Sequence, residues 1–229
     1  MNSFEKIFEI LEYVILQCGK AVTPSEAAAA TGLHLATCAR IMTDLAERGY
    51  LEQLSRRSGY VPGPMTVTLG TRPNHYSKLA EAAEEPLEKL ADALSRQINL
   101  SVLNRGKRVM LICKRPFEYL RWQRFRFAGE YDIAATARLL APFLPEDQFA
   151  ETGVSASERK RILKEKRVQF PLKERNLVIF GNLILAEGYP PAAFGFGVPE
   201  DSDLTEVRKL ADRTAAEIEQ KLNPSNQTY

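Results

Sequence analysis

The sequence predicts an α+β chain in two parts: a small helical module with a β-hairpin, then an antiparallel sheet flanked by helices. Three observations predict it. Amphipathic helical periodicity and helix-capping signals crowd the first fifty residues. Short apolar runs bounded by turn residues fill the stretch from 99 to 197. A last amphipathic stretch, Leu204 to Leu222, closes the pattern, and helices and antiparallel strands in this order are α+β. A length of 229 residues fits one large domain or two small ones, and 45% hydrophobic with 26% charged residues is near the globular average.

The first stretch, 4–15, sets Phe4, Ile7, Phe8, Leu11, Val14 and Ile15 at helical spacing, with Glu5, Glu9 and Glu12 off that stripe. Thr23-Pro24-Ser25-Glu26 is a capping box with proline at the first helical position, and Gly32 is a left-handed stop. A third helix runs from about Leu35 to Arg48. Cys38, Ile41, Met42 and Leu45 face inward; Thr37, Arg40 and Asp44 face outward, with Ala36 and Thr43 beside them. Tyr50 to Leu54 and Tyr60-Val61 read as strands around a basic turn that holds Arg56 and Arg57. Helix, short capped helix, glycine turn, helix and hairpin in this order describe a winged helix-turn-helix. Its third helix has the length to lie in a major groove, and its wing can reach backbone or minor groove. Residues 1–72 carry seven basic and seven acidic residues, so the alternative is a module that binds protein.

Several runs carry a family resemblance: Pro24-Ser25-Glu26-Ala27-Ala28, Thr31-Gly32-Leu33, Thr37, Arg40, Leu45, Glu47 to Leu51, and Gly59 to Pro64. Over residues 4–70 the chain resembles the IclR-type (isocitrate lyase regulator) family of bacterial transcription regulators. The resemblance implies dimers on operator DNA, with Thr37 and Arg40 on the DNA face and Arg56 and Arg57 on the wing. Ala36 stands where the family commonly has a serine. The DNA-binding residues expected are therefore Ala36, Thr37, Arg40, Thr43, Arg56 and Arg57.

Residues 71–77 break periodicity. Proline at 86 predicts a linker helix over 73–85 and a separate domain helix beyond it, so the expected divisions are 1–72, 73–85 and 86–229. Asn99 to Leu103 and Val109 to Cys113 form a hairpin. Ile133 to Phe143 is a helix, and Ser155 to Glu158 caps a basic helix to about Arg167. Leu177 to Phe180, Leu183 to Leu185 and Ala193 to Gly197 are strands. This order resembles the GAF-like effector-binding domain of the same family, in which a small organic acid binds over the sheet. The resemblance implies Asn99, Ser101, Thr136 and Asn182 as polar pocket groups and Phe180, Phe194 and Phe196 as apolar walls; each is also a natural core residue of a sheet. The chain is about two residues shorter than the family between Ala137 and Phe143, and shorter again before Phe180, which leaves the pocket altered, open or absent.

Positive charge concentrates in the second part: eight basic against one acidic residue over 104–126, and eight against three over 158–175. Basic and aromatic residues interleave from Lys114 to Phe127, which suits single-stranded nucleic acid or an anion but reads better as a strand with a cationic face. Two histidines, no metal spacing and no phosphate loop argue against an enzyme, and neither metal nor cofactor is expected. Three scattered cysteines and no apolar run of membrane length fit a cytoplasmic protein, with Cys38 in the core. The expectation is a DNA-binding regulator, homodimeric or homotetrameric, without a membrane partner and modulated by a small organic acid, with aromatic acids among the candidates. The alternative is an interaction or assembly scaffold with a vestigial sensor.

Overall fold

The computed structural model describes residues 2–17, 19–55, 57–70, 75–114, 126–127 and 131–223. These divide into two compact units, one up to Gly70 and one from His75 onward. No helix among the described residues is long and apolar enough to cross a membrane.

In the first unit, α1 (Ser3–Leu16) opens with a capping box between Asn2 and Glu5. Helix α2 (Pro24–Thr31) has the expected box: Thr23 N–H donates to Glu26 Oε2 at 2.8 Å, and Glu26 N–H to Thr23 Oγ1 at 3.2 Å. Those bonds favour the ionised carboxylate and hold Glu26 below the usual carboxylate range. Gly32 closes α2 in the left-handed conformation, and α3 (Leu35–Glu47) follows. Strands β1 (Leu51–Ser55) and β2 (Gly59–Pro62) make the wing. It is fastened to the body by the Val22–Tyr60 bridge, with both backbone bonds at 2.8 Å. A short α4 (Pro64–Gly70), absent from the sequence expectation, ends the unit.

Cys38, Ile41, Met42 and Leu45 all lie in the core, packed with Ile10, Val14, Val22, Ala27, Leu51 and Tyr60. Burial raises the Cys38 thiol above its ordinary value, which keeps it protonated. The apolar residues of α1 do not form a single inward stripe. Ile10 and Val14 are buried, whereas Phe4 is 75% and Phe8 57% exposed.

The second unit is a six-stranded antiparallel sheet in the order β5-β4-β3-β8-β7-β6. Its strands are β3 (Ile98–Asn104), β4 (Lys107–Lys114), β5 (Arg126–Phe127), β6 (Arg167–Leu172), β7 (Leu177–Ile184) and β8 (Ala192–Pro199). Helices α5 (His75–Leu94) and α9 (Leu204–Leu222) cover one face. The other face carries α6 (Ala135–Leu140), a 3-10 turn at 141–143, α7 (Glu146–Ala150) and α8 (Ala156–Glu165).

Two expectations are corrected. The stretch 73–85 is not a separate linker helix: α5 runs unbroken through Pro86. Leu79 and Ala83 before the proline, and Leu87 and Ala91 after it, are fully buried on the same face of the sheet, and this burial holds the helix together across the missing bond. The strands expected at 177–180 and 183–185 are one strand, β7. The basic helix α8 ends at Glu165, and β6, an edge strand carrying Pro171, follows it unforeseen. Of the basic and aromatic run 114–127, only Lys114 and the two residues of β5 fall among those described.

Two glycines set the position of α6. Gly181 of β7 pairs with Gly195 of β8. A Cβ on Gly181 would stand 2.6 Å from Ala135 Cβ, and one on Gly195 would stand 3.0 Å from the same atom. The missing side chains form a notch in the sheet, and α6 sits in it.

Candidate nucleic-acid interface and ligand recess

Because α3 buries four residues at i, i+3, i+4 and i+7, its opposite side is fixed. Ala36, Arg40, Thr43 and Glu47 form the outward row and are all exposed. Thr37 is half-buried at the flank of that row. Leu35 is 49% exposed at the first turn. The helix is capped by His34, whose Nδ1 accepts the Ala36 N–H at 3.4 Å, so the cap does not depend on a serine at position 36. Thr43 is held by its own helix and by the wing. Its hydroxyl donates to Ala39 O at 2.9 Å and lies 3.3 Å from the Tyr60 hydroxyl.

At the wing tip the Ser55 hydroxyl donates to Ser58 Oγ at 2.7 Å and accepts the Ser58 N–H at 2.9 Å. This turn presents Arg57 to solvent. Arg56, the other wing residue expected, lies outside the described residues. Ala36, Arg40 and Thr43 therefore share one face, and Arg57 stands on the hairpin of the same unit. The surface can insert a helix into a groove and place a cation against phosphate.

The seven residues expected at an effector pocket are not brought together. In β7 and β8, Phe180, Asn182, Phe194 and Phe196 point to the face covered by α5 and α9, where the three phenylalanines are core. Phe180 and Phe196 stack with centroids 5.7 Å apart, and the Arg208 guanidinium lies 4.6 Å from the Phe180 centroid. The carboxylate of Asp212 on α9 accepts the Asn182 amide N–H at 2.7 Å. Burial lowers the affinity of Arg208 for its proton, an effect that the nearby Asp212 opposes.

Asn99, Ser101 and Thr136 belong to the other face. Asn99 accepts from the Gln97 side chain at 3.0 Å. Ser101 and Thr136 are buried, and Thr136 Oγ1 accepts a hydrogen bond from the buried guanidinium of Arg108 on β4. Arg108 lines a small recess together with Leu103, Gly106, Tyr131, Ala137, Leu140, Ala141 and Leu144. Burial raises the Tyr131 phenol above its ordinary value, so it stays a proton donor at neutral pH. The recess has room for about one water molecule, far less than an ordinary small-molecule site offers. Arg108 and Tyr131 were missed as individual residues; Arg108 lies in the charge excess over 104–126, which marked a region and not a face, and no sequence signal marked Tyr131. Among the described residues no three His, Cys, Asp or Glu side chains gather as a metal site would require.

Comparison with known proteins gives the same architecture. Residues 3–55 match the model of the IclR helix-turn-helix domain. No curated protein matches the sequence. Solved structures match along the length of the chain. An IclR homolog from Microbacterium hydrocarbonoxydans, complexed with 4-hydroxybenzoate, aligns at a TM-score of 0.69 with 16% identity, over 97% of this chain and 100% of that one. A putative transcriptional regulator from Rhodococcus sp. RHA1 aligns at 0.59 with 20% identity, over 99% and 100%. The Thermotoga maritima IclR aligns at 0.55 with 19% identity, over 97% and 99%. Residues 3–55 thus match the IclR helix-turn-helix domain, and the chain as a whole shares its fold with solved IclR-type structures.

Proposed function

We propose that the protein is a cytoplasmic transcription regulator that binds operator DNA through α3 and the wing as a homo-oligomer, and that its second unit senses a small organic acid. The observation that carries the reading is the outward row Ala36, Arg40 and Thr43 on a helix whose opposite side is wholly core, within a segment that matches a helix-turn-helix family. Thr37 flanks the row, and Arg56 and Arg57 supply the wing. For the sensor, the α6 side of the sheet is the better half of the expected set. Asn99, Ser101 and Thr136 lie there with a buried cation, Arg108, and a protonated phenol, Tyr131. A guanidinium is the natural partner of a carboxylate. The Microbacterium homolog holds an aromatic acid, which supports the ligand class.

The small recess favours a second reading, an assembly scaffold whose sensor no longer binds a ligand. One titration separates the two. Fluorescence anisotropy of the full chain on a duplex selected from a random library should give tight binding, weakened by about 1–3 kcal/mol in Arg40→Ala. Aromatic and aliphatic acids, 4-hydroxybenzoate first, should shift that affinity about 5- to 150-fold, the usual range of allosteric coupling. Unchanged affinity in Arg40→Ala removes α3 from the readout. DNA binding that no acid alters leaves the scaffold reading.

A further inference from the structure

The outward side of α3 is unusual in what it lacks. The helix LATCARIMTDLAE holds no Asn or Gln, the side chains that read adenine bidentately. Its first half instead presents the exposed Leu35 and Ala36, with the half-buried Ala39, around a single cation, Arg40. Thr43 adds a methyl group, because its hydroxyl is turned back to Ala39 O. Both acids on the outward side, Asp44 and Glu47, lie in the second half of the helix. Phosphates repel them, so the helix enters a groove by its N-terminal half, which carries Leu35, Ala36 and Ala39. Leu35, at the first turn of the helix, leaves 49% of itself exposed.

In the major groove the only apolar feature of a base pair is the C5-methyl group of thymine. We infer that α3 selects its half-site through thymine methyl groups, contacted by Leu35, Ala36 and Ala39, beside one guanine read by Arg40. The inference rests on the DNA-binding reading above and names the bases that reading leaves open. Apolar contact of this kind disfavours cytosine, which carries only a hydrogen at C5 and, beside it, an amino donor in place of the thymine O4 acceptor.

The experiment uses the full chain and its selected duplexes. Each thymine in the half-site is replaced in turn by deoxyuridine, which removes only the methyl group. Binding should weaken about fourfold for each contacted thymine, the equivalent of exposing one methylene-sized group. Leu35→Ala and Ala36→Gly should lose a similar factor on the thymine duplex and become indifferent to the deoxyuridine at the position each one contacts. Equal affinity for thymine and deoxyuridine at every position overturns the inference; if Arg40→Ala still weakens binding, the DNA-binding reading survives it. Failure of the wild-type chain to enrich any sequence overturns both.

Discussion

Asp212 illustrates how one side chain fixes several others. Its carboxylate accepts from Arg167 and from Asn182, both at 2.7 Å, and lies 3.9 Å from the Arg208 guanidinium. Asn182 is 4% exposed, so without that acceptor its amide is stranded away from water. Asp212→Ala should therefore lower stability by about 1–3 kcal/mol, read as a shift in the urea midpoint with an unchanged slope. A loss within about 0.5 kcal/mol, the range of ordinary surface changes, would show that water replaces the carboxylate. The sequence marks Asn182 as unusual, a polar residue within an apolar strand. What it hides is the direction. Reading 177–180 and 183–185 as two strands breaks the alternation, whereas the unbroken β7 places Asn182 on the side of Phe180, toward α9. The partner is thirty residues onward on another element, and no local pattern announces it.

At the scale of elements, helices and turns with local causes were legible. The α2 box, the Gly32 stop, the inner face of α3 and both ends of α9 follow from residues a few positions apart. Elements held by distant packing were not. Pro86 contradicts a continuous α5, and Pro171 with its charged neighbours contradicts a strand at β6; both exist because the sheet rewards them. The α5–α9 pair also carries a pH dependence. Glu85 bridges Lys221 and Lys89, each at 2.8 Å, and hydrogen bonds from both hold its carboxyl down at about 2. A carboxylate lowered on folding stabilises above its ordinary value, and that contribution fades as pH falls toward the folded value. The thermal midpoints of wild type and Glu85→Gln should differ modestly at neutral pH and converge between about 4.5 and about 2. Because these side chains face solvent, about 1 M salt should remove the difference at neutral pH. A gap that is constant across pH would assign it to packing.

At the scale of the molecule, the first unit has more apolar surface than it can bury. Phe4 (75% exposed), Phe8 (57%) and Ile15 (36%) line the side of α1 away from the core, and Val67 and Leu69 of α4 are also exposed. A helix with apolar side chains on two sides has one face for its own core and one for a partner. In the homo-oligomer proposed above, that partner is a second copy. Burying two phenylalanines contributes about 3–6 kcal/mol, so Phe4→Ser with Phe8→Ser should raise the dissociation constant of the assembly at least about a hundredfold. Sedimentation at micromolar protein would show monomers, and operator affinity would fall with them. An unchanged mass would place self-association on other surfaces. The sequence lists these residues but spreads them along one helical stripe; only the packing of Ile10 and Val14 divides that stripe into an inner and an outer side.

The notch at Gly181 and Gly195 shows a helix specified by atoms that are absent. Read along the chain, the two glycines are soft points in the middle of strands, and Ala135 is an unremarkable small residue some fifty positions away. Together they hold α6 at a separation from the sheet that leaves nothing between them. The recess beside Arg108 opens farther along, at the C-terminal end of the helix beside β4. A side chain gained at either position would therefore push α6 off the sheet and reshape the recess at its far end along with it.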